Sequence, residues 1–176
     1  MNRCRRGYGH QTLRRATAAA HKSLDHHWLM QCLTGSGLTC EQHAESLVAM
    51  CRPHAQLEAD LVELGQPIPP ASQMRPDLSD GQVAWWGRVY VLEGSRQGSA
   101  VIARCVHCSL GDSVPCRFFG GTIVPEDFSR LLATLEHELE DEDAFEQAVA
   151  GAREAFADYR AELDAFDSRK RDFELR

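Results

Sequence analysis

The sequence predicts an all-α fold, a compact bundle of roughly five or six helices, on three observations. Apolar residues recur at spacings of three and four through most of the chain. No alternating strand pattern of useful length and no internal repeat is present. Glycine and proline punctuate the periodic stretches where helices would end or begin.

Residues 1–9 read as a disordered arm with Gly7 and Gly9 as breakers, and residues 10–170 as a single helical domain. Leu13, Ala16, Thr17, Ala20, Leu24, Trp28 and Leu29 put residues 10–33 in helical period. The run stops at the turn-forming Thr34 to Gly37. Thr39 can then cap a second helix with Glu41 and Gln42 in its first turn. That helix carries Leu47, Val48, Met50, Leu57, Leu61 and Leu64 and ends at Gly65, and Pro53 is expected to kink or interrupt it. Gln66 to Asp80 is a proline-rich connection within one domain.

A long helix is expected from about Gly81 to Ser109, with Trp86, Val89, Tyr90, Leu92, Val101 and Ile102 as its apolar positions. Gly111 to Gly121 is a loop holding Phe118 and Phe119. Pro125 opens the next helix, with Glu126 and Asp127 where the helix dipole favours acid. The last helix runs from about Glu142 to Ser168, with Phe145, Val149, Ala152, Phe156, Tyr159, Leu163 and Phe166 on one stripe.

Composition narrows the function classes. The 176 residues are 43% hydrophobic and 26% charged, ordinary for a soluble globular chain with a real core. The net charge of −7 argues against nucleic acid as a partner. No apolar run reaches membrane-spanning length, and no apolar segment follows the basic N-terminus to make a signal peptide. Seven cysteines, an odd number scattered along the chain, point to a reducing cytoplasm rather than a disulfide framework. The acidic run from Glu136 to Asp143 reads as a solvated face, with a docking patch for a basic partner as the sharper alternative.

Within the long helix, Gly94 and Gly98 fall four apart on one face, with Ser95 and Ser99 beside them. Each mid-helix glycine costs about 1 kcal/mol against alanine, so the pair needs a reason. The simplest is a flat group that must touch the backbone along this face.

Other residues could carry chemistry. His21 follows three alanines on the first helix, and a neutral imidazole is a good iron ligand, although a lone histidine is more often a surface residue. His26 and His27 do not share its face, which lowers the case for a multi-histidine metal site. Cys105 and Cys108 form a CxxC with no second pair to complete a zinc site, so a structural role is expected. There is no Glu-x-x-His pair for a di-iron bundle, no GxSxG, no P-loop and no dinucleotide fingerprint.

Two stretches together resemble the heme oxygenases. Leu13 to Met30 is similar to the family's proximal helix, with Ala16, Thr17, His21, Asp25 and Met30 in register. Tyr90 to Ala103, YVLEGSRQGSAVIA, is similar to the distal helix, in the Leu-Glu-Gly-Ser form of the bacterial, bacteriophytochrome-associated branch. Phe118-Phe119 and Ala155 to Phe166 match later family segments more loosely, so the resemblance covers most of residues 12–166.

The resemblance implies a helical fold that sandwiches heme between proximal and distal helices. His21 would be the axial ligand of the heme iron, with the opposite position open for O2. The implied reaction is oxidative opening of heme to biliverdin, with release of carbon monoxide and ferrous iron. Electrons would come from a ferredoxin or a reductase, and the product could feed a bacteriophytochrome pathway. Gly94 and Gly98 would give the porphyrin clearance, and Ser95 would hold a water that delivers a proton. Asp25 would tune the His21 ring through water, and Arg14 would pair with a propionate. Tyr90, Ser99, Phe156 and Tyr159 complete the implied heme-binding set. Ser95 stands where animal members carry aspartate, Ser99 replaces the second distal glycine, and His54 stands where those members have a tyrosine. A heme carrier or sensor with little turnover is therefore the alternative, and a helical relative that binds no heme is a third.

Overall fold

The computed structural model describes residues 9–49, 55–68, 81–121 and 125–174; side chains are described throughout except at 81, 82, 125, 127 and 169–174. Seven helices and no strand are found among the described residues, so the all-α expectation holds. They are α1 (His10–Asp25), α2 (Trp28–Thr34), α3 (Cys40–Ala49), α4 (Ala55–Glu63), α5 (Gly81–Leu110), α6 (Pro125–Glu138) and α7 (Glu142–Glu174).

The helix count exceeds the expected five or six because the stretch 10–33 is two helices. His27 leaves helical geometry (φ −65°, ψ 136°), and its ring accepts the Leu29 N–H as an N-cap. A histidine is a poor cap signal in sequence, since Ser, Thr, Asp and Asn dominate that position. The capping of α3 follows the sequence. Thr39 Oγ1 accepts the Gln42 N–H at 3.1 Å, and Gln42 Oε1 accepts the Thr39 N–H at 3.0 Å, a reciprocal capping box. The interruption expected at Pro53 lies outside the described residues, as do residues 1–8 of the expected N-terminal arm. At the end of α4, Gly65 takes φ +69°, and bonds from Gln66 N to Leu61 O and Gly65 N to Val62 O close a Schellman motif. Asp141 Oδ1 accepts the Ala144 N–H at 2.7 Å and starts α7.

The chain forms two compact units. The first is built from Met1–Lys22, Pro76–Ser95 and Val124–Ala157, and the second from Ser23–Arg75, Arg96–Ile123 and Asp158–Arg176. In the first unit the α5–α7 crossing is made of small residues. A Cβ at Gly87 would overlap the Ala148 carbonyl, and one at Gly151 would overlap the Ala84 carbonyl, so the two backbones touch directly. The packed side of α5 here is Ala84, Gly87 and Val91, with Trp86, Val89, Tyr90 and Leu92 only half-buried. Leu131 and Leu135 of α6, Leu139 just after it, and Ala148, Val149, Ala152 and Phe156 of α7 are buried in the same unit.

The second unit has its own core. Leu33, Leu47, Leu57, Leu61, Ile102, Val106 and Phe119 form one cluster, and Leu29, Ala49, Leu163 and Phe166 another. Val101, expected on the apolar stripe, is instead 45% exposed, while its neighbours Ile102 and Ala103 are buried. The loop after α5 is pinned by a fully buried carboxylate. Asp60 accepts from Arg117 Nη1 at 3.0 Å and from the Phe118 N–H at 2.9 Å. No helix among the described residues is long and apolar enough to cross a membrane.

Candidate functional site

The first unit gathers most of the expected site residues. α1 carries Arg14, Thr17 and His21, and is fixed from inside by the buried Leu13 and by Thr17 Oγ1 donating to Leu13 O at 2.9 Å. α7 holds α1 from the side, since Arg153 Nη2 donates to the Ala16 carbonyl at 3.2 Å. His21 itself is exposed, and its ring meets Phe156 of α7 edge-on, with centroids 5.6 Å apart at 73°. Phe156 is buried, so it limits the movement of the imidazole while leaving the ring accessible.

Tyr90 of α5 is half-buried within the field of Arg14. Burial pushes its phenol above the ordinary value of 10.0, and the nearby Arg14 charge pulls the other way by less. Tyr90 therefore keeps its proton at neutral pH and offers Oη–H as a donor. One turn earlier on the same α5 face, the Trp86 indole N–H is buried and has no hydrogen-bond partner among the described residues. Trp86, Tyr90 and Gly94 are spaced four apart, so an orphaned donor, a protonated phenol and a bare backbone position share one stripe.

The glycines of α5 divide into two kinds. Gly87 is dictated by its contact with α7. At Gly94 and Gly98 a Cβ would meet nothing within 4 Å among the described residues, so no contact with them requires a glycine at either position. Ser95, next to Gly94, is exposed and donates its hydroxyl to the Leu92 carbonyl at 2.7 Å. It must turn away from that carbonyl to donate elsewhere.

Four expected residues belong to the second unit: Gly98 and Ser99 on α5, Asp25 on α1 and Tyr159 on α7. Gly98 and Asp25 are exposed, and Ser99 and Tyr159 half-buried. His54 lies outside the described residues. Sequence reasoning passed over Trp86, counted only as an apolar residue, because an unpaired indole is visible only once its surroundings are known. It also passed over Gly87 and Gly151. As mid-helix glycines they carry a signal, but that signal does not separate ligand clearance from a helix crossing.

No protein-family model matches the chain. A protein named heme oxygenase from Xanthomonas campestris pv. campestris (strain 8004) is 35% identical over 113 residues, covering 62% of this chain and 66% of that relative. The match thus spans a little under two thirds of the relative's length. This likeness supports the heme oxygenase family for the chain.

Proposed function

We propose that this chain is a heme oxygenase, taking heme as substrate and opening it to biliverdin with release of carbon monoxide and ferrous iron. The observation that carries the reading is Gly94. It weakens a long helix, no contact among the described residues explains it, and it sits on the stripe of Tyr90 and the orphaned Trp86 indole. Clearance for a planar ligand gives the glycine a purpose.

The residues fit heme. His21 on α1 would hold the iron from one side, its ring steadied by the Phe156 edge. Gly94 would line the other side. Arg14 and Trp86 Nε1 are donors suited to a propionate carboxylate, which would also satisfy the buried indole. When bound, heme supplies the oxygen-activating chemistry. Ser95 Oγ, released from Leu92 O, would hold a water that passes a proton to the open face. Tyr90 Oη would keep its proton and serve as a fixed donor. In this reading O2 and electrons from a ferredoxin or a reductase complete the reaction in the cytoplasm, and biliverdin could supply a bacteriophytochrome pathway.

The test is a hemin titration followed by reduction in air. A Soret band saturating at one hemin per chain, then giving way to a biliverdin spectrum, is expected from the wild type and not from His21→Ala. A second reading, a heme carrier or sensor, is favoured by Ser95, whose hydroxyl is turned to its own helix. Tight binding with an intact ring after reduction would select it. A hemin titration without a Soret shift would remove both.

A further inference from the structure

We propose that His27, Asp164 and Asp167, in the second unit, form a binding site for a divalent transition-metal ion, separate from the heme reading and independent of it. His27 caps α2, and its side chain is only 2% exposed. Its backbone is held on both sides, His27 N donating to Leu24 O at 2.9 Å and His27 O accepting from Gln31 N at 3.0 Å. Among the described residues Nε2 is buried and makes no well-aligned hydrogen bond, and it points at two carboxylates of α7. It stands 3.2 Å from Asp167 Oδ2 and 3.7 Å from Asp164 Oδ1.

These separations suit a metal centre. With metal–ligand bonds near 2.1 Å, neighbouring ligands of a tetrahedral ion stand about 3.4 Å apart. The three donor atoms here all lie within 4.8 Å of one another. One imidazole nitrogen and two carboxylate oxygens form a borderline-to-hard donor set that Zn2+ accepts. Asp164 and Asp167 are three apart in α7 and therefore share a face.

The surrounding groups orient the ligands. Trp28 Nε1 donates to Asp167 Oδ1 at 2.7 Å, which turns Oδ2 toward His27. Arg160 Nε donates to both Asp164 oxygens, at 2.9 and 3.0 Å, and would keep Oδ2 when Oδ1 turns to the ion. Asp164 is exposed and opens the site to solvent, giving an entry path and room for a water as fourth ligand. The Leu29 N–H reaches His27 Nδ1 over a long 3.3 Å, so the neutral ring carries its proton on Nε2. Binding moves the ring proton to Nδ1, freeing Nε2 and giving up that long contact. The bound ion would staple the start of α2 to α7.

The experiment uses the full chain without hemin, stripped by chelator, in a Cys105→Ser/Cys108→Ser background. Zn2+ titrated calorimetrically should bind at one equivalent and raise the melting temperature. Asp164→Asn, at an exposed position that leaves the core intact, should weaken Zn2+ at least roughly tenfold, and His27→Gln should do the same. Co2+ in place of Zn2+ should give visible bands without a thiolate charge-transfer band. Absence of stoichiometric Zn2+ binding, an affinity unchanged by Asp164→Asn, or a thiolate band on Co2+ would each overturn the site. Hemin binding tests the other reading and is untouched by any of these outcomes.

Discussion

Gly87 presses its α-carbon against the carbonyl of Ala148, leaving no space for a side chain, while seven residues further along α5 Gly94 faces open space. Two glycines of one helix thus answer to different causes. The first lets α5 and α7 touch; the second is tied to no contact among the described residues.

That difference predicts opposite signs for the same substitution. Gly87→Ala should destabilise the protein by about 1–3 kcal/mol or more, because the obstacle is backbone that cannot swing aside. Gly94→Ala should stabilise it by up to about 1 kcal/mol, the helix-propensity gain. Urea denaturation measures both. On the heme reading, Gly94→Ala should at the same time weaken hemin binding, so that stability and affinity move in opposite directions. Equal affinity in the variant would leave the glycine unexplained.

His21 is exposed, so His21→Ala should change stability by less than about 0.5 kcal/mol. The Soret spectrum of the hemin complex should nevertheless change, through loss of the axial nitrogen. A variant spectrum superimposing on the wild type would place the iron ligand elsewhere.

Thr39→Ala should cost about 1 kcal/mol by opening the reciprocal bonds with Gln42. The exposed position introduces no cavity, so the denaturant midpoint should fall with an unchanged slope.

His43 gives the fold a pH dependence. It is fully buried, donates Nε2–H to Pro115 O at 2.8 Å, and leaves Nδ1 without a partner. Burial holds its pKa below the ordinary 6.5 and outweighs the opposing pulls of the Pro115 bond and the Asp60 charge, while His107 adds to the lowering. The unfolded chain therefore takes up this proton first as pH falls. Stability from this group is complete above about pH 6.5 and is lost as pH drops from there through the lower folded-state value. His43→Gln should flatten the stability profile over that interval, and profiles running parallel would show that His43 contributes nothing to it.

The chain order of the helices was legible because each rule involved is local. The Thr39–Gln42 box, the Gly65 stop and the Pro125 start depend on residues a few positions apart, and all three are observed. The split between α1 and α2 was hidden because a buried histidine ring does the capping. On the first half of α5, hydrophobicity named Trp86, Val89 and Tyr90 while the packed side ran through Ala84 and Gly87, because close backbone approach selects small residues rather than large ones.

By itself the sequence determined the helical class and the local caps and stops at Thr39, Gly65 and Pro125. These follow from propensity and period, which act within a few turns. Only the tertiary structure decided which glycines serve packing and which are left open. It alone set Phe156 against His21, left the Trp86 indole without an acceptor, and brought His27 to Asp164 and Asp167. Those relationships join residues from distant parts of the chain, and no periodicity encodes the distance between two helices or the solvent removed from a side chain between them.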